Sequence, residues 1–396
     1  MFYGHASLQA RLPALPCLSE CPSRRRAARQ LFLTVPLPSP SMPSPRKADK
    51  PRPIPRITST AEFARHVGLA RTTVSRVLND QPGLKQKTID RVQRAMAETG
   101  FTPNAYALHL KGKRTALVGI CVENLLTPPA VRKLAGLQRH LRENGYSSLI
   151  EVLDPKLGPK VIRHFLSMRV EAIAFIGHFA EPELERWIAG FVNQRLPHVV
   201  IDQHGVKDAN TVTLDRAQAM ADVLEHLWAL GHRSFGLLGL SGPLRSTQDR
   251  LRGLDATLAQ HGLLIAACTR SLDHLHERRN DFEFGRLLAR GFAQIPDRPT
   301  AYIALNDEIA IGAMHGFQHG GVAVPADLSI TGFNNQDICE MTTPGLTSVD
   351  QQIDATILAA TEVLLAQFKF PNRTKTVVRM IPPALVVRGS TGKMPA

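Results

Sequence analysis

The chain has 396 residues, 43% of them hydrophobic, enough for two or three domains with a sizeable core. Its five cysteines are odd in number and scattered, which implies no disulfide framework and fits a reducing compartment. No run of about 18 apolar residues marks a membrane span, and no basic amphipathic helix with aromatic anchors marks a membrane-surface binder. The formal charge of +14 is confined to one end. Residues 1–114 hold 20 Lys and Arg against 6 Asp and Glu, whereas residues 115–396 hold 28 of each. That partition is the footprint of a small nucleic-acid module carried on a neutral globular body.

Residues 1–56 are rich in Pro, Arg and Ser, with 10 basic against 2 acidic side chains. They lack periodicity and read as a disordered basic extension; a basic arm adding phosphate contacts is the functional alternative. Met42 is a plausible alternative start. The SRRRAARQLFLTV stretch is too short and broken for a signal peptide. Cys17 and Cys21 lack the second pair of ligands that a zinc site needs, so no metal is expected.

Residues 57–102 predict a three-helix module. Ser59 and Glu62 form an S-x-x-E capping box at the first helix. Gly68 supplies the turn residue that tolerates positive φ, and Leu69 is the apolar plug. The second helix sets Val74, Val77 and Leu78 on one side. Its other side carries Arg71, Thr72, Thr73, Ser75 and Arg76 without an acid. Such a face suits the major groove: Arg bonds guanine O6 and N7 together, and hydroxyls reach phosphates or bases. A surface αα-hairpin with a basic face is the plainer reading of this stretch alone. A third helix over Lys87–Thr99 carries an apolar stripe of Ile89, Val92 and Met96 and stops at Gly100; Phe101 closes the core. Residues 103–114 predict a short helix, too short to be stable alone in water and so able to form on binding.

From Thr115 short apolar runs alternate with helical segments, the mark of βαβ units and parallel sheets. Strands are expected at 116–122, 147–153, 171–177, 197–202, 235–240, 300–305, 328–333 and 384–388. Helices are expected between them, for example Ala130–Asn144, Ala217–Leu230 and Ile353–Gln367. So many units predict two doubly wound subdomains, with ligands beyond the carboxyl ends of the strands.

Several motifs, in this order and spacing, give the chain a family likeness: TVSRVLN (73–79), FTPNAYALHL (101–110), LGHRSFGLLG (230–239), DRLRG (249–253), ALNDEIAIGAM (304–314) and DLSITGFNN (327–335). Over about residues 57 to 390 the sequence resembles the lactose/purine repressor family of bacterial transcription regulators. The resemblance implies a helix–turn–helix head (57–102), a hinge helix (103–114) and an effector-binding and dimerisation body like periplasmic sugar-binding proteins (115–390). It implies a cytoplasmic homodimer on a palindromic operator, a repressor switched by a small carbohydrate-like effector, and no cofactor.

Carried over position by position, Arg71 and Thr72 match groove-reading residues, and Thr73, Ser75 and Arg76 match those touching phosphates or bases. Asn79 matches a backbone contact at the helix end, and Leu110 matches the hinge leucine that wedges into the minor groove. In the body, Asp202, Arg250 and Asp307 match ligand-binding positions, with hydrogen-bonding chemistry suited to a polyol, a sugar or a carboxylated sugar. Asp202 or Asp307 can instead be loop or helix caps, and Arg252 competes with Arg250 for the inward position. Ala70 stands where the family has a hydroxyl cap, and Lys85 likewise at the third helix. The run ENLLTPPAV (123–131) lacks the family's aromatic, as does the neighbourhood of Arg279–Asn280.

Two other classes fit less well. An enzyme on this fold lacks its motifs: Gly236, Gly239 and Gly242 miss the G-x-G-x-x-G spacing, and no Walker A, H-E-x-x-H or G-x-S-x-G occurs. A solute-binding protein would account for the body but not for the basic head.

Overall fold

A computed structural model describes residues 57–78, 81–102, 114–153, 158–278, 280–370 and 375–395. The basic extension 1–56, Cys17, Cys21, Asn79 and the hinge residues 103–113 with Leu110 lie outside the described residues. The chain divides into two units, parted at Thr102.

In the first unit, α1 (Thr60–Val67), α2 (Arg71–Val77) and α3 (Gln86–Thr99) follow one another. The capping box is formed in both directions: Glu62 N donates to Ser59 Oγ at 3.2 Å, and Ser59 N to Glu62 Oε2 at 3.3 Å. Gly68 ends α1 at φ 70°, where a side chain would be strained. The core is Phe63, Ala64, Val67, Val74, Val77, Val92, Ala95 and Phe101, with Leu69, Leu78, Ile89 and Met96 packed around it. Phe63 and Phe101 stack with ring centroids 4.2 Å apart. Neither Ala70 nor Lys85 caps its helix through a side chain, so first-turn N–H groups of α2 and α3 lack that partner.

The second unit holds two six-stranded sheets. The first runs β11-β5-β4-β3-β1-β2, all parallel. Its strands are β1 (Leu117–Val122), β2 (Ser147–Val152), β3 (Ala172–Ile176), β4 (His198–Ile201), β5 (Thr211–Leu214) and β11 (Val378–Ile381). The second runs β12-β10-β9-β8-β6-β7, with β6 (Phe235–Leu238), β7 (Thr269–Ser271), β8 (Ala301–Ala304), β9 (Ser329–Asn334), β10 (Thr347–Asp350) and β12 (Ala384–Val386). Only β12 is antiparallel to its neighbour there.

Helices cover both faces of each sheet, so the strands bury side chains on both sides. In β3, Ala172, Ala174 and Ile176 join one core with the helices Pro128–Glu143 and Ile353–Lys369. Ile173 and Phe175 join another with Gly158–Ser167 and Glu181–Gln194. The second sheet is sandwiched likewise between the helices Asp281–Ala293 and Asp307–His319 and the helices Arg216–Ala229 and Arg245–Gln260. The chain crosses between sheets after β5, after β10 and after β11. These crossings make two linked doubly wound subdomains with a cleft where their strands end.

Four strands escape the sequence pattern: β5, β7, β10 and β11. β5 (TVTL) and β10 (TSVD) are short and half hydroxylated, yet nearly every residue in them is buried. Three of their four hydroxyls find internal partners, and that of Thr211 is buried without one among the described residues. Thr213 Oγ1 donates to the Asp202 carbonyl at 3.2 Å, and Ser348 Oγ to Asp307 Oδ1 at 2.5 Å.

Candidate functional site

The first surface is the face of α2. Arg71, Thr72 and Arg76 are exposed, and Thr73 and Ser75 are half-buried, while Val74 and Val77 fill the core behind them. Arg76 also braces the following loop, donating from Nη2 to the Pro82 carbonyl at 3.1 Å.

The second surface lies where the strands of both sheets end. Asp202 follows β4 with φ 79° and is 7% exposed. Its Oδ1 accepts from Lys133 Nζ at 2.6 Å and pairs with Arg216 Nη2 at 3.5 Å, and its carbonyl accepts from Arg216 Nη1 at 3.1 Å. Burial alone would raise its affinity for a proton; the Lys133 and Arg216 charges outweigh that and hold its carboxyl at about 2. It is ionised at neutral pH.

Lys133, 3% exposed, also donates to Gln351 Oε1 at 2.8 Å. Gln351 lies on the second crossing between sheets, so this lysine ties a helix of the first subdomain to the connector. Gln351 Nε2 in turn donates to Asn334 Oδ1 at the end of β9. Positive φ values gather at these strand ends: Asp202, Asn334, Asn335 and Gln352. Non-glycine residues in that conformation concentrate at functional sites.

Arg250 points inward and Arg252 outward. Arg250 is 6% exposed, with Nη1 donating to the Ser246 carbonyl at 3.0 Å and the guanidinium 4.1 Å over the Phe333 ring. Arg252 is 65% exposed in its side chain and pairs with Asp249. Burial and the neighbouring Arg216 push Arg250 down to about 9; it still carries its charge at neutral pH. Its Nε, like that of Arg216, is buried without a hydrogen-bond partner among the described residues. His178, at the end of β3, is held neutral near 3 by burial and then by Arg216. Lys133, His178, Asp202, Arg216 and Arg250 thus act on one another electrostatically as one cluster.

Asp307 follows β8, close to the backbone of Phe333, over whose ring Arg250 lies. It is 0% exposed at the start of its helix, behind Asn306, which caps that helix from its side chain. Its Oδ1 accepts from Ser348 and its Oδ2 from Gln336 N at 2.9 Å. Both oxygens are engaged within the second sheet, and burial pushes the carboxyl up to about 6. The structure brings Asp202 and Arg250 into one cluster and gives Asp307 a bracing place between β9 and β10.

Two further pairs join the subdomains. Arg245 bonds Glu181 at 2.6 Å, and His204 Nε2 meets Asp249 Oδ2 at 2.8 Å. The sequence reading missed these, together with Lys133 and Arg216. A signal for the last two existed. Lys133 falls in phase with Leu137 and Leu141, and Arg216 with Met220, Val223 and Leu227, each on the buried stripe of its helix.

No metal-holding group of His, Cys, Asp or Glu occurs among the described residues. No described helix is long and apolar enough to cross a membrane.

Comparison with known proteins agrees with this division of labour. Residues 61–104 match the family "Bacterial regulatory proteins, lacI family", and residues 224–391 match the "Periplasmic binding protein-like domain". The chain is 30% identical to catabolite control protein A of Staphylococcus epidermidis over 83% of its own length and 98% of the relative's. It is 27% identical to the HTH-type transcriptional regulator DegA of Bacillus subtilis, over 85% and 99% of the two chains. In fold it is similar to the lac repressor dimer bound to operator and the anti-inducer ONPF. The TM-score is 0.74 at 24% identity, covering 85% of this chain and 99% of that one. The chain belongs to the lacI family of bacterial regulatory proteins and is a DNA-binding transcriptional regulator rather than an enzyme.

Proposed function

We propose that this regulator is a cytoplasmic homodimeric repressor that binds a palindromic operator through the α2 face and the hinge, and is switched by a small molecule held between the sheets of its body. The proposed domains are the head at 57–102, the hinge at 103–114 and the body at 115–390, behind a basic extension at 1–56. Arg71, Thr72, Thr73 and Ser75 contact DNA at the head, with Arg76 released from Pro82 on binding. Asn79 contacts the backbone and Leu110 wedges into the minor groove. Asp202 and Arg250 hold the effector, together with Lys133 and Arg216; Asp307 supports the wall behind them.

The observation that carries the reading is the buried charged cluster at the strand ends, with an arginine Nε lacking a partner. Buried polar groups are almost always hydrogen-bonded, so an orphan in a cleft between subdomains is a place for a ligand. The uneven charge of the chain supports the DNA half of the reading. Two heads on a two-fold dimer would read two half-sites about one helical turn apart.

The test is selection of bound duplexes from a random-sequence pool by the full chain. The expected product is a palindrome, and Arg71→Ala should relax preference at one base pair per half-site, at a cost of about 1–3 kcal/mol. Enrichment of a single asymmetric site would contradict the dimer, and an Arg71→Ala protein with unchanged preference would remove Arg71 from the reading.

A further inference from the structure

Three basic side chains, Lys133, Arg216 and Arg250, are buried and act on one another at the strand ends, and burial lowers the affinity of Lys133 for its proton. One carboxylate, Asp202, serves the first two. The third has the Ser246 carbonyl and the Phe333 ring and, among the described residues, no carboxylate in contact, although the charges of Asp249 and Asp202 act on it from further off. The other acids nearby are occupied. Asp249 is shared by His204 and the outward Arg252. Glu123 accepts from His178 N at 2.8 Å, and burial raises its affinity for a proton. His178 is neutral and adds no charge of its own. Arg250 therefore sits in a place shielded from water with, among the described residues, no carboxylate in contact with it. A buried cation without a counter-charge is among the costliest arrangements in a protein. Both Arg216 and Arg250 also carry a buried Nε with no acceptor.

A neutral sugar would not remedy this. Its hydroxyls can accept from an arginine, but they leave the charge uncompensated. Neutral sugars are also commonly held against aromatic faces, and here Phe333 is already covered by Arg250. An oxyanion both accepts hydrogen bonds from a guanidinium and cancels its charge, and arginine's planar fork matches carboxylate and phosphate.

We propose that the effector is an anion, a sugar-sized polyol bearing a carboxylate or phosphate, with its charged group taken by Arg250 beside Arg216 and its hydroxyls by Asp202 and Lys133. This rests on the reading of the cleft as the effector site. Sugar acids and sugar phosphates share the chemistry, and separate arms of the test tell them apart.

The full chain is titrated calorimetrically and by thermal shift with gluconate and glucuronate, with glucose 6-phosphate and 6-phosphogluconate, with the neutral sugars glucose and ribose, and with sulfate as a bare anion. An anionic compound is expected to bind about 10- to 100-fold more tightly than its neutral counterpart, the value of one charge-assisted hydrogen bond. Arg250→Met should remove that preference, and Arg250→Lys should keep part of it. The comparison within the unaltered protein needs no variant to fold. If a neutral sugar binds as tightly as the anions and Arg250→Met loses it, the anionic class is wrong and the cleft reading stands. If an anion binds but a folded Arg250→Met protein holds it equally well, both are wrong. If none of the anions, sulfate included, is held, the proposal is overturned.

Discussion

Lys133→Met isolates the centre of the cluster. The substitution keeps most of the aliphatic stem and removes Nζ, which lies 2.6 Å from Asp202 and 2.8 Å from Gln351. Asp202 would keep only Arg216, with its nearest guanidinium nitrogen at 3.5 Å. Two routes give the magnitude. Asp202 is held at about 2 against an ordinary 3.8, and at about 1.4 kcal/mol per unit its cationic neighbours supply about 2–3 kcal/mol beyond the cost of burial. Removing one partner of a buried pair costs about 3–5 kcal/mol in general. Burial lowers the affinity of Lys133 for its own proton and offsets part of this, so with Arg216 remaining the expected loss is about 2–3 kcal/mol, read from urea unfolding at pH 7.5.

The sign with pH follows from Asp202's depressed value. Its contribution is complete above pH 4 and is lost as the pH falls towards 2. The variant's deficit should therefore shrink in acid. Lys133→Met/Asp202→Asn should lose less than the sum of the two single variants, because the Lys133–Asp202 pair is removed once, although Arg216 is then left without its carboxylate. A deficit below about 0.5 kcal/mol, as for a surface pair, would refute the reasoning. So would a double variant that loses the sum of two separate penalties.

Three further outcomes follow from other parts of the molecule. Ala70→Ser supplies the missing cap to α2 and should raise stability of the head by about 1 kcal/mol and tighten operator binding; weaker binding in a folded variant would mean the added hydroxyl disturbs the DNA face. Asp307 has a raised carboxyl pKa, about 6 from 3.8, so its ionised form costs stability above pH 6 and that cost is relieved as the pH falls towards 4. The wild type should therefore gain up to about 3 kcal/mol relative to Asp307→Asn between pH 7.5 and 4, and parallel urea profiles would count against it. Gly253→Ala places a methyl on the Ala217 carbonyl, where the helices Arg216–Ala229 and Arg245–Gln260 cross. Overpacking of this kind costs about 1–3 kcal/mol, and an unchanged urea midpoint would show that the crossing can open.

The head was legible in the sequence because its signals are local: a capping box, a glycine at positive φ and an apolar stripe each occupy a few residues. The parallel strands were legible where they are continuous apolar runs, as in Leu117–Val122 and Ala172–Ile176. β5 and β10 were not, because hydroxyl-bearing residues such as Thr213 and Ser348, bonded to distant backbone and carboxylate groups, look like loop residues until the sheet is assembled. The choice between Arg250 and Arg252 turned on helix phase: Arg250 falls in line with Leu254 and Leu258, and Arg252 faces away. Asp307 and Asp202 are alike in sequence, each an acid just after a strand, yet one ends in a cationic cluster and the other among a serine hydroxyl and a backbone N–H. Nothing local distinguishes them, since the partners lie tens of residues away. Lys133 and Arg216 were visible as charges on buried stripes but were not recognised as partners of Asp202.

The most direct test of the account couples the two surfaces. Operator affinity of the full chain is measured by fluorescence anisotropy with and without a saturating anionic ligand, for the unaltered protein and for Arg250→Met. The account predicts a change of about 5- to 150-fold on ligand binding, the usual range of allosteric coupling, and no change in the variant. A protein that holds the ligand in its cleft and binds its operator with the same affinity either way would contradict it.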